Sequence, residues 1–168
     1  MSEKEAKAAK LLDTKLDKKI IKTVTTCAII MIIAILIHDG DHIRQAYNWG
    51  YTIPLSLWAL NLTVYVLPVI TLFLAKSGRA SATLVGSISG VFTTASFLIL
   101  HFFGSFTGNW GVWNFSYFDL MKGVTYDGVF YQGVDWLSWV LLLHIPVFCL
   151  PCSVVCFKEY KKLKNAAK

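Results

Sequence analysis

Apolar residues run in four long stretches nearly free of charge, separated by short polar segments. This is the pattern of a chain that places its hydrophobic side chains in lipid rather than in one interior. Residues 53–75 carry no charged group, 82–103 contain only His101 as an ionisable residue, and 136–157 contain only His144 besides cysteines. The first stretch, 23–37, is shorter. It reaches the roughly 20 residues that a span requires only by running one more turn through polar residues to about position 42. The pattern therefore predicts an all-α fold, a four-helix transmembrane bundle with spans about 23–42, 53–75, 82–103 and 136–157. Residues 33–38, Ile-Ala-Ile-Leu-Ile-His, offer no small-x-small cleavage site, so the first stretch reads as an anchor and not as a removed leader.

Composition agrees with this reading. At 55% hydrophobic and 15% charged, 168 residues are too apolar to be hidden inside one soluble core. Charge sets the orientation, because basic flanks resist translocation. Fourteen of the 16 Lys and Arg residues lie before the first span, between the second and third, or after the fourth; only Arg44 and Lys122 fall on the other side. Both termini are therefore expected to be cytoplasmic in a multi-pass protein of the cell membrane. The net charge of +6 is a topology signal and an attraction to anionic lipid, and it does not imply nucleic acid. Residues 1–22 form a basic lead-in in which Leu12, Leu16 and Ile20 recur at helical spacing, predicting one apolar stripe on the membrane surface. Residues 23–157 form the membrane domain, and 158–168 a basic tail.

Within the spans, Pro68, Pro146 and Pro151 are expected to kink their helices and release carbonyls. Gly86 and Gly90 form a Gly-x-x-x-Gly, a close-packing signal for a neighbouring helix or a dimer face. The outer segment 104–133 is rich in aromatic residues and glycine, which suits either an interfacial belt or a lid. Asn114-Phe115-Ser116 within it matches a glycosylation acceptor.

Candidate chemistry gathers at the outer ends of the spans. His38, Asp41, His42 and Gln45 fall at i, i+3, i+4 and i+7, one face of a helix that continues past the first span. His101 closes the third span and Asp135 opens the fourth, so four helices can bring these groups to similar depth. Imidazole and carboxylate suit zinc, copper or iron, and two histidines one turn apart can share an ion. The metal candidates are His38, Asp41, His42, His101 and Asp135, with His144, Arg44 and Gln45 as secondary members; a haem between histidines is a further possibility. Two plainer arrangements compete. Gly40 can end the first helix in a solvated turn, or Asp41 can pair with Arg44 while the histidines donate to backbone carbonyls. A second cluster, Cys27 with Cys149, Cys152 and Cys156, sits on the cytoplasmic half, where it suits packing better than a disulfide and where thiolates would favour a soft ion. No phosphate-binding loop, Gly-x-Ser-x-Gly elbow or His-Glu-x-x-His is present.

The segments Asp41-His42-Ile43-Arg44-Gln45 and Asp135-Trp136-Leu137-Ser138-Trp139 resemble a group of small polytopic membrane proteins. In that group the first helix ends in Asp-His-x-Arg-Gln and the last opens with Asp-x-Leu-Ser-Trp. The resemblance implies a fold and no activity. The sequence thus points to a membrane protein with an outer-leaflet histidine and aspartate site that binds metal or is linked to redox chemistry. The alternative is a non-catalytic accessory subunit of a larger membrane complex. Lipid is the certain partner, membrane proteins or a second copy are the expected ones, and nucleic acid is not.

Overall fold

The computed structural model describes residues 15–50, 52–103, 123, 125–126, 129–130 and 133–166. Four helices dominate: α1 (Lys18–Trp49), α2 (Leu55–Lys76), α3 (Ser81–Leu98) and α4 (Trp136–Ala166). A single π-helical turn, Ile99–Phe103, continues α3. Two short antiparallel strands, β1 (Thr125–Tyr126) and β2 (Val129–Phe130), lie between the last two helices in sequence. All four helices, counting α3 with its π turn, are long and apolar enough to cross a membrane. Most of the expected aromatic loop, including Asn114, lies outside the described residues.

Each helix packs chiefly against the two that neighbour it around a square, so that α1 touches α2 and α4, α3 touches α2 and α4, and α1 meets α3 only sparsely across the diagonal. The buried face of α1 runs Val24, Ala28, Met31, Ile35 and His38, spaced by three and four residues. It meets Leu142, Ile145 and Cys149 of α4, Val64 of α2 and Phe97 of α3. The outward faces are apolar as well. Leu36, Ile43, Leu62, Phe73 and Val147 are all more than half exposed, which is expected where the solvent is hydrocarbon. α2 is the most peripheral helix: 17% of its most apolar stretch is buried, against 39% in α3.

The small residues of α3 pack inward. A Cβ on Gly86 would stand 2.8 Å from Cys156 Sγ, and one on Gly90 would stand 2.7 Å from Ser153 Cβ and closer still to the Cys149 carbonyl. The Gly-x-x-x-Gly face is thus occupied by α4 of the same chain.

Two local outcomes differ from simple reading of the pattern. α1 does not stop at Gly40 but continues to a left-handed cap at Gly50, because Asp39 before the glycine bonds to α2 and Asp41 after it is buried in the bundle. The helix also begins only at Lys18, where Asp17 caps it by accepting from Ile20 N at 2.8 Å. Leu16 accordingly does not extend a surface stripe: its amide donates to Gly78 O at 2.7 Å and its side chain is buried beneath the α2–α3 turn. Leu12 lies outside the described residues. Pro68 lies inside α2, and Pro146 and Pro151 inside α4.

A candidate metal centre at the polar end of the bundle

One end of the core is polar. His38, Asp41 and Gln45 of α1, His101 of the π turn and Ser138 of α4 are all buried there. The π turn matters because the wider coil changes the direction in which the side chain after Phe97 leaves the helix. His101 turns inward and its Nδ1 lies 2.9 Å from Phe97 O. Phe97 lies edge-on to His38 at 4.7 Å between ring centroids and forms the apolar floor of the cluster.

His38, His42 and His101 converge. His38 Nε2 lies 3.0 Å from His42 Nε2 and 3.3 Å from His101 Nε2. The tautomers follow from the other ring nitrogens. His38 Nδ1 faces Leu141 O at 3.0 Å and His101 Nδ1 faces Phe97 O; a carbonyl only accepts, so both Nδ1 atoms carry the proton. In the neutral rings, Nε2 then presents a lone pair. The His38–His42 contact can be bridged by a proton from His42, but the His38–His101 contact sets lone pair against lone pair. A metal ion held between them would relieve this. With metal–nitrogen bonds of about 2.0–2.1 Å, two ligand nitrogens stand roughly 3.3–3.4 Å apart in a tetrahedral site and roughly 2.8–3.0 Å apart at right angles. The two observed separations fall in these ranges, and one ligand atom from each of the three histidines can belong to a single ion.

The carboxylates expected as ligands are engaged elsewhere. Asp41 accepts from Arg44 Nε and from Gln45 Nε2, each at 2.8 Å. Asp135 takes the other side of the same guanidinium in a two-pronged pair, at 2.7 Å from Nη1 and 2.9 Å from Nη2. Ser138 Oγ accepts from both Arg44 Nη2 (2.9 Å) and Gln45 Nε2 (2.6 Å). Asp135 also caps α4 by accepting from Ser138 N at 3.0 Å. The Arg44 guanidinium holds the Asp135 carboxyl down at about 2, below its ordinary 3.8, with the Ser138 amide assisting. Arg44 and Gln45 therefore belong to a clasp between α1 and α4, and the Asp-His-x-Arg-Gln and Asp-x-Leu-Ser-Trp segments interlock through it.

His144 is a staple and stands apart from the triad. Its Nδ1 faces Leu141 O at 2.5 Å and its Nε2 faces Ala34 O at 2.9 Å, so both ring nitrogens point at backbone carbonyls and not at the triad. This arrangement gives no support to a haem between His101 and His144, and three Nε2 atoms converging on one point leave no room for a macrocycle between any two of them. The four cysteines cluster at the opposite end of the core, all buried and all free thiols, with Cys27 in hydrogen-bond reach of Cys152 and Cys156. Cys156 and the Cys149 backbone fill the spaces left by Gly86 and Gly90, which fits a packing role.

Sequence reasoning missed a second polar network beside the triad. Asp39 accepts from Asn61 Nδ2 at 2.8 Å and from the Tyr65 hydroxyl, linking α1 to α2. Asn61 and Tyr65 stand at i and i+4 inside an otherwise apolar span, and that spacing was the available signal. A cavity of about 440 Å³ was also missed. It lies between α2 and α3, with His42 and His101 in its wall.

Neither a family model, nor a curated protein, nor a solved structure matches this chain. The fold and site are those of a four-helix protein whose helices are all long and apolar enough to cross a membrane, with a histidine cluster that could hold a metal ion.

Proposed function

We propose that this protein resides in the cell membrane and holds one transition-metal ion, zinc, copper or iron, on the Nε2 atoms of His38, His42 and His101. The observation that carries the reading is the 3.3 Å approach of His38 Nε2 and His101 Nε2, two nitrogens whose partner Nδ1 atoms are both committed to backbone carbonyls. Holding these rings together without a cation costs lone-pair repulsion; a cation converts the repulsion into ligation. The Nδ1 bonds also fix ring orientation as outer-sphere partners do in metal sites.

Charge balance supports a divalent ion. Three neutral imidazoles leave its charge at +2, and a bare dication is costly in a low-dielectric core. Asp39, Asp41 and Asp135 against Arg44 supply a net −2 within about a turn of the ligands or one partner away. Both Asp39 oxygens accept hydrogen bonds, as an ionised carboxylate does. Three protein ligands leave a coordination position open, the pattern of metal sites that bind or transform a further molecule. Such an ion supplies Lewis acidity, and copper or iron also supplies an electron-transfer couple.

The distribution of Lys and Arg supports cytoplasmic termini, which sets the triad in the outer half of the bilayer. The test is metal analysis by mass spectrometry on untagged protein purified gently and offered zinc, copper and iron in turn. Near-stoichiometric metal is expected, lost in the His38→Ala/His101→Ala double variant and kept in His144→Ala. Folded protein that retains no metal after each ion is offered overturns the reading and leaves an accessory membrane subunit as the better description.

A further inference from the structure

The position of the cavity between α2 and α3 is informative. Its wall contains two of the three triad histidines, His42 and His101. Most of the remainder is hydrocarbon and aromatic, including Leu57, Trp58, Phe92 and Phe97, with Asn61, Thr63 and Ser96 as the other polar residues. Its volume, about 440 Å³, lies within the roughly 300–1,000 Å³ typical of small-molecule sites. α2 is the most peripheral helix, and Phe92 and Ile99 of the lining are also exposed on the outer face of the bundle, so the cavity is open to the hydrocarbon that surrounds the helices.

We infer that this cavity receives a lipid-soluble phenol or quinol, whose hydroxyl oxygen takes the open coordination position beside His42 and His101 while its ring and hydrocarbon body fill the apolar space. The inference rests on the metal reading above and adds the ligand class. Three features select that class. An apolar wall reached through lipid excludes ions and sugars. Trp58, Phe92 and Phe97 favour a flat ring over a saturated chain, because offset and edge-on ring contacts add to area burial. Polar groups are few: besides the histidines the cavity is lined by Asn61, itself held by Asp39, by Thr63, whose hydroxyl donates to Leu60 O, and by Ser96. A mostly apolar molecule with one polar head fits this lining, and one with polar groups along its length does not.

The experiment uses the full chain in lipid nanodiscs, loaded with Co(II) as a spectroscopic substitute ion, and the probe is 4-butylphenol. The visible bands of bound Co(II) are expected to change saturably as 4-butylphenol is added. Butylbenzene, which has the same body and no hydroxyl, is expected to leave the bands unmoved while weakening the 4-butylphenol titration by competition. Leu57→Trp, which adds bulk to the cavity wall at a residue that is not a metal ligand, is expected to leave the resting Co(II) spectrum unchanged and to weaken the phenol response by about tenfold or more. Butylbenzene competition needs no variant, so the inference stays testable if Leu57→Trp fails to fold. Bound Co(II) with no saturable response to 4-butylphenol, an equal band shift with butylbenzene, or an unchanged response in a folded Leu57→Trp overturns the inference and leaves the metal site standing. Absence of Co(II) bands altogether overturns the metal reading, and this inference falls with it.

Discussion

Replacing Arg44 with Gln tests whether the clasp between α1 and α4 is organised by a buried charge. Asp41 has a side chain only 1% exposed, and without Arg44 its carboxylate keeps a single neutral donor, the Gln45 amide. Breaking a fully buried pair by removing one partner costs about 3–5 kcal/mol, because the remaining charge is left uncompensated. Arg44 is itself 31% exposed, so water reaches part of the vacated space, and the expected loss is about 2–3 kcal/mol. Asp135→Asn removes the other carboxylate from the same guanidinium; its side chain is 49% exposed, and the expected loss is about 1 kcal/mol or less. The double variant Asp41→Asn/Arg44→Gln removes both members of the buried pair and is expected to be more stable than Arg44→Gln alone. Reversible unfolding in mixed micelles, followed by circular dichroism as denaturing detergent is added, gives all three differences. An Arg44→Gln cost no larger than that of Asp135→Asn, or a double variant less stable than the single one, refutes the argument from burial.

The same unfolding assay separates two glycines of unlike surroundings. Gly90→Ala drives a Cβ against Ser153 and the α4 backbone and is expected to cost about 1–3 kcal/mol, whereas Gly40→Ala meets nothing within 4 Å and is expected to stabilise α1 by about 0.5–1 kcal/mol. His144→Ala removes a side chain placed between the carbonyls of Leu141 and Ala34; a loss of about 1–2 kcal/mol with unchanged metal content is expected, and loss of metal would move His144 into the site. The acid response follows from Asp135. Its carboxyl is held below its unfolded value, so its contribution is fully present above about 3.8 and is lost as pH falls from there to about 2. Arg44→Gln is expected to flatten that part of the stability profile, and an unchanged profile would remove Asp135 as its source.

Much of this architecture was legible because lipid imposes simple rules. Charge-free length located the four spans, and the spacing of His38, Asp41, His42 and Gln45 put them on one face of a helix, as found. What the pattern could not supply was the competition between elements for a partner. Asp41 and Asp135 were plausible ligands by type, but the partner each meets depends on how α4 packs against α1, and there one guanidinium bonds to both. Gly40 looked like a helix end from its residue type alone, and only the bonds of Asp39 to α2 and the burial of Asp41 explain why the helix passes through it. The cavity was invisible in the sequence for a similar reason. Its existence depends on how far α2 stands from α3, and no single residue encodes that gap.

The π-helical turn at Ile99–Phe103 bears on how the chain tolerates change in length. Along a regular helix each residue advances roughly 1.5 Å and turns about 100°. Deleting one residue from this turn would shorten the span by a trivial amount, yet would swing every later side chain of the helix by more than a quarter of a revolution. His101 would leave the triad for the lipid or for a neighbouring helix, although every ligand type was still present. At this turn, a substitution at a lipid-facing position such as Ile99 is a small event and a single-residue insertion or deletion is a large one.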